Sequence, residues 1–208
     1  MAVGGIAIYR QATGLQSVGT SLAALPFDTT TLADAGYALD GGTDTITLPD
    51  AAPYLVSYTI AARSAGGTGA SAVASVLKLD ADFLVEGIAA GFFNRSALVN
   101  ECWLSAATII RTTSTNQMLE LQGQRTDNGS GTVEIAPGTS GGSGIQIIRL
   151  SDAWSYCRLV RAADGLTSTS GWQKLHWGSS VELDTESFGW SAGQAQPSEI
   201  LLKRRGRD

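Results

Sequence analysis

The chain has 208 residues and a mass of 21.6 kDa, with 43% hydrophobic residues, only 16% charged residues and 25 glycines, a composition that supports a real core and argues against disorder as a whole. One histidine and two cysteines exclude a His-based metal cluster, a disulfide framework and a zinc ribbon, and a net charge of −5 argues against nucleic-acid binding through a basic surface. No apolar run reaches the ~20 residues a membrane-crossing helix needs, and the start MAVGGIAIYRQ lacks a basic segment leading into an apolar one, so neither a membrane nor an export signal is expected.

From Gly4 to Leu150, short runs of Ile, Val, Leu and Tyr are separated by Gly, Asp, Ser and Thr clusters, the spacing of strands. In chain order the predicted strands are Ile6–Gln11, Ala23–Asp28, Tyr37–Asp40, Asp44–Leu48, Tyr54–Ala62, Ala72–Leu79, Phe83–Gly87, Leu98–Arg111, Gln117–Gln124, Thr132–Ile135 and Gly144–Leu150. That series suits an all-β, two-sheet sandwich. Asp40-Gly41-Gly42 offers positive-φ positions, Asp80-Ala81-Asp82 separates two apolar arms, and Asp127-Asn128-Gly129 closes a tight hairpin.

Two of these strands say more than the rest. In Tyr54–Ala61 the even positions are large and the odd ones small or intermediate, so one face fills a core and the other permits close approach. In Gly144–Leu150, Ile145 and Ile147 point one way and Ile148 and Leu150 the other, so both faces need cover. A loop, the second domain or a neighbouring subunit would each supply it.

The composition changes after Leu150. Residues 1–150 carry seven basic and twelve acidic side chains, whereas residues 151–208 carry seven of each and four of the five tryptophans, Trp154, Trp172, Trp177 and Trp190. The expected organisation is therefore one domain over 1–150 and a linker with the initial strands of a second, incomplete module over 151–208. The second part also echoes the first. Tyr9–Leu15 lies over Val160–Leu166, Asp44–Leu48 over Ser198–Leu202, and Tyr37 over Phe188, in the same order along the chain, which reads as an internal duplication. On that reading the second module is completed by residues beyond Asp208 or by neighbouring chains.

The order "LPFDTT", "YALDGGTDTITLPDAAPYLVSYTI", "ASVLKLDADFLVEG" and "GSGIQIIRL" resembles the C1q/TNF-like jelly roll. There, a Pro-Phe strand precedes an aromatic residue, a Gly-containing turn, a short strand ending in Pro, and a long strand opened by an aromatic. Ile46, Thr47 and Pro49 stand in the short strand, and Tyr54 opens the long one. The sequence departs in having Ala52-Pro53 where a Gly is usual before that aromatic, and Ile145-Gln146-Ile147 in the last strand. The resemblance implies a homotrimer whose first, last and long central strands face the threefold axis. It makes Tyr54, Tyr58, Ile145, Ile147, Ile148 and Leu150 candidate interface residues. The small-residue, acidic character looks like phage versions of this jelly roll, which decorate capsids or form head fibres.

No nucleotide loop or catalytic constellation is found. Gly66–Gly69 and Gly138–Gly144 lie between strands with no following helix, and His176 has no triad partner pattern. The pairs Asp80/Asp82 and Asp40/Asp44 read as turn formers rather than a calcium site, so no metal or cofactor is expected. Cys102 and Cys157 read as buried free thiols. The cluster Lys203–Arg207 reads as a solvated tail or a dock for an acidic partner. The leading expectation is a non-enzymatic phage virion protein, a homotrimeric decoration, cement or head-fibre component that binds the major capsid protein or another virion protein. Its candidate docking arm is Met1, Ala2, Val3, Gly4 and Gly5. The alternative is a receptor-binding or adhesin domain of a tail fibre that contacts a cell-surface glycan, and a carbohydrate-active enzyme comes third.

Overall fold

Alternation of large and small residues makes Pro53–Ser64 (β7) the strand around which the first unit is organised. The computed structural model describes residues 4–9, 16–64, 69–95, 101–126, 133–135, 142–150, 157–160, 179–183, 188–189 and 201–202. Its chain contacts divide it into two units, Met1–Leu150 and Ser151–Asp208. All described elements are strands and turns, and every described strand pair is antiparallel.

In the first unit β7 pairs along one side with Glu101–Arg111 (β10) and along the other with Gly144–Arg149 (β13) and Val133–Ile135 (β12). The sheet continues from β13 to Gly5–Tyr9 (β1) and Thr29–Ala33 (β4), and from β12 to Gln16–Val18 (β2). The second sheet runs Ala38–Asp40 (β5), Thr45–Leu48 (β6), Gln117–Arg125 (β11), Gly69–Leu79 (β8) and Asp82–Arg95 (β9), with Ala23–Ala24 (β3) also on β11. The chain passes from β6 to β7, back to β8 and β9, across to β10, back to β11, and finally to β12 and β13. This order defines a two-sheet antiparallel jelly roll.

The core lies between the sheets. Tyr54, Val56, Tyr58 and Ile60 from β7, with Ile6, Ile8, Ile145 and Ile147, meet Ile46, Leu48, Leu77, Leu119 and Leu121 of the second sheet. Each large apolar side chain fully removed from water contributes roughly 1.5–3 kcal/mol. A polar group crosses this core: the Tyr58 hydroxyl donates to the Gly87 carbonyl at 2.8 Å and lies 3.0 Å from Ser75 Oγ. Gly87 is confined to glycine by packing, since a Cβ there would stand 2.8 Å from Leu77 Cβ.

Several sequence expectations change. The predicted strand Ala23–Asp28 shrinks to β3, and Leu25 then bonds Leu121 through its backbone N–H at 2.9 Å. β2 and β4 were not expected, because QSV and TTTLA carry almost no apolar alternation. In the Asp40–Asp44 turn the positive φ falls on Asp44 (56°) rather than on Gly41 or Gly42, and the Asp40 carboxylate accepts the Gly42 N–H at 2.8 Å. β9 runs on past Gly87 to Arg95. The Asp127–Gly129 hairpin, His176, the four C-terminal tryptophans and Lys203–Arg207 lie outside the described residues.

In the second unit Cys157–Val160 (β14) pairs with Ser179–Leu183 (β15), and Phe188–Gly189 (β16) pairs with Leu201–Leu202 (β17).

Candidate self-association face

Because side chains alternate along a strand, the inward even positions of β7 leave Leu55, Ser57, Thr59 and Ala61 on the outward face of the same sheet. Strand register extends these into rows. Gly5, Ile148, Leu55 and Ile109 form one, and Leu32, Ala7, Gln146, Ser57 and Ala107 form the next. A third holds Gly144, Thr59 and Ser105, with the last two hydroxyls 3.1 Å apart, and Trp103 stands opposite Ala61. None of these side chains is charged. Among the described residues, charge enters at the ends: register sets Arg63 between Glu134 and Glu101 and Arg111 opposite Pro53, and Asp34, just past β4, lines a hollow on this face.

Large apolar side chains stand on this face in water: Leu32 is 59% exposed, Trp103 52% and Ile148 37%. Between them the small residues of β1 and β13 leave two adjoining hollows. One, of about 420 Å³, is lined by Ala7, Thr31, Ser57, Thr59, Gly144 and Gln146 among others. Its neighbour, of about 370 Å³, shares Ala7 and Gln146 and reaches Gly5, Leu32 and Ile148. Gly5 is required on the floor, because a Cβ there would lie 2.6 Å from the Ile147 carbonyl oxygen. An uncharged sheet face with apolar projections beside hollows is a surface suited to burial against protein.

The sequence-based interface residues are redistributed. Tyr54, Tyr58, Ile145 and Ile147 point into the core of a single chain, covered by its second sheet. Leu150 is also buried: β13 ends at Arg149, and Leu150 turns in to donate its N–H to the Pro53 carbonyl at 2.9 Å. Of the six, Ile148 alone projects outward. Of the candidate docking arm, only Gly4 and Gly5 are among the described residues, and both are tied into the sheet. Gly5 is the first residue of β1, its N–H held by Asp34 Oδ2 at 2.7 Å, and the Gly4 carbonyl accepts the Arg149 N–H at 2.8 Å and the Tyr37 hydroxyl at 3.2 Å. Met1, Ala2 and Val3 lie outside the described residues. Leu32 and Trp103 were missed. Trp103 shares the parity of Ser105 and Ala107 in its strand, a signal the sequence contains.

At the same end of the sandwich, Tyr37 meets Tyr54 edge-on, with ring centroids 6.3 Å apart, and Arg149 pairs with Asp50 at 3.3 Å. Burial pushes the phenols of Tyr37, Tyr54 and Tyr58 above their ordinary value. Cys102 is a half-buried free thiol pushed up to about 11 by burial, which keeps it in the unreactive protonated form. The acidic turn residues are engaged locally: Asp80 accepts Gln117 Nε2 at 2.7 Å and the Met118 N–H at 2.8 Å. Among the described residues no group of three or more His, Cys, Asp or Glu is placed to hold a metal ion.

The strand order and core define an all-β, two-sheet jelly roll. No protein-family model matches the sequence, and no curated protein matches it. Solved structures with a similar course include the globular domain of zebrafish complement 1qA protein, at 10% identity and a TM-score of 0.49 over 72% of this chain and 97% of that one. Eiger TNF from S. frugiperda matches at 15% identity and 0.49 over 80% and 100%. Murine APRIL matches at 9% identity and 0.48 over 72% and 100%.

Proposed function

We propose that residues 1–150 form a non-enzymatic structural module that self-associates as a homotrimer by burying the outward face of the β7 sheet. The observation that carries this reading is the uncharged five-strand face, with Leu32, Ile148 and Trp103 standing out of it. The strand order agrees with the jelly-roll resemblance read from the sequence, which implies the same face. Permanent assemblies commonly bury ~2,000 Å² or more and resemble a divided core. Sedimentation of the full chain at micromolar concentration should give a trimer, and a folded monomer there would overturn the proposal. Ile148→Asp, at an exposed position, should leave the fold intact and prevent association by placing an unpaired charge in the contact.

We further assign this module to a phage virion, as a capsid decoration, cement or head-fibre protein. The acidic, small-residue composition supports that assignment. Antibody against the chain should then label purified virions. Label on the shell fits decoration, label on the tail fits the adhesin alternative, and unlabelled particles would remove the virion role.

A further inference from the structure

Two strand pairings in the second unit repeat two in the first, position by position. In the first unit β1 meets β4 as Ile6 with Ala33, Ala7 with Leu32, Ile8 with Thr30 and Tyr9 with Thr29, with a register shift between the second and third pairs. In the second, β14 meets β15 as Cys157 with Leu183, Arg158 with Glu182, Leu159 with Ser180 and Val160 with Ser179, and the shift falls between the same two pairs. The sequence echo places Val160 over Tyr9, which sets the two ladders in this correspondence without reference to the pairing. The next pair of strands agrees. The β5–β6 register of Ala38 with Thr47, extended by one residue, sets Tyr37 against Leu48, while β16–β17 sets Phe188 against Leu202. Those are the residues the echo superimposes. A shared irregularity at one place in a ladder is more specific than shared strand propensity, since bulges are retained features of a fold.

We infer that residues 157–202 are a second copy of the β1–β4–β5–β6 framework, and that of the two copies only the first carries the associating face. The difference lies at one pair. Ala7 and Leu32, which line the hollows of the outward face, are matched in the second copy by Arg158 and Glu182. Burying a charged pair in a contact between chains costs desolvation that packed apolar residues avoid. Register thus sets two residues of opposite charge, Arg158 and Glu182, at the position where the first copy sets Ala7 and Leu32. This deepens the self-association reading and rests on it.

Full-length variants test both halves. Installing the second copy's pair in the first, Ala7→Arg with Leu32→Glu, should weaken association roughly 30-fold or more, as loss of an interface hot spot does, with the circular dichroism spectrum unchanged. The reciprocal Arg158→Ala with Glu182→Leu should leave the association constant within roughly two-fold. Persistent trimers in the first variant, or loss of them in the second, would overturn the assignment of the face to the first copy. A monomeric wild-type chain would instead overturn the self-association reading itself. For the duplication, in a Cys102→Ser, Cys157→Ser background, Arg158→Cys with Glu182→Cys should oxidise to a disulfide as readily as Ala7→Cys with Leu32→Cys. The pair Arg158→Cys with Ser180→Cys, which the register does not set opposite each other, should not. Failure of the 158–182 bridge, with the 7–32 bridge formed, would sink the duplication.

Discussion

The Tyr58 hydroxyl donates to the Gly87 carbonyl at 2.8 Å, tying the central strand of one sheet to the edge strand of the other through the core. The bond is possible because Gly87 packs against Leu77 with no side chain of its own, and burial raises the phenol above its ordinary pKa, so it remains a donor. The contact fixes how the two sheets are set against each other, which apolar packing alone specifies less sharply.

Tyr58→Phe keeps the ring and removes this bond, leaving the Gly87 carbonyl with one partner fewer in an apolar setting. We expect a loss of about 1–3 kcal/mol in urea unfolding with an unchanged m-value. An unaltered midpoint would show that the hydroxyl contributes nothing to holding the sheets together.

The two buried threonines of the β10 segment should respond with opposite signs. Thr112 Oγ1 donates to the Asp50 carbonyl at 2.6 Å and accepts the Ala52 N–H at 2.9 Å, closing the entry to β7. Thr112→Val should cost about 1–3 kcal/mol, and Thr112→Ser should recover most of it.

Thr108 sits on the inward face opposite Val56, and its buried hydroxyl has no hydrogen-bond partner. Thr108→Val matches the shape and removes that group, so thermal unfolding should shift upward, by about 1 kcal/mol in stability. A lower melting temperature would mean that the hydroxyl has a partner in solution.

Asp80 contributes to the acid side of the stability curve. Its carboxyl is held below the ordinary value, first by the Gln117 side chain and then by the Met118 N–H. The folded chain therefore binds this proton more weakly than the unfolded chain. The resulting stability is complete above the ordinary carboxyl pKa near 4 and is lost as pH falls through the lower folded value. Asp80→Asn, which tolerates the left-handed φ of 51° at this position, should flatten the fall in urea midpoint between pH 5 and pH 2. Identical acid limbs for the two proteins would remove Asp80 from the account.

How far the sequence could be read depended on whether a residue's role is local. The alternation in Tyr54–Ile60 is a property of consecutive residues, so the core face of β7 was legible, as was the Asp80 turn. β4 was not, because Thr29–Ala33 is a strand by virtue of the ladder it makes with β1 and carries no apolar period of its own. The reading of β9 stopped at Gly87 because glycine looks like a breaker, whereas here Gly87 and Gly91 admit the close approach of Leu77 and of Cys102 and Leu104. The face was found through Ile148, but parity carried one residue past the end of β13 wrongly placed Leu150 beside it. Leu32 and Trp103 join the face only through pairing across strands, which no single stretch of sequence displays.

The ladder between β1 and β13 joins the first strand of its unit to the last. A ribosome releases the chain from its N-terminus at about 5–20 residues per second, so Gly5–Tyr9 emerges several seconds before Gly144–Arg149 exists to cover it. During that interval β1 can pair with β4 along one side, but its other edge stays open until β13 is made, a pairing distant in sequence and of a slow class. Full protease protection of stalled nascent chains should accordingly appear only once Leu150 has cleared the exit, whereas full protection at shorter lengths would mean that the β1–β13 ladder is not needed to close the unit.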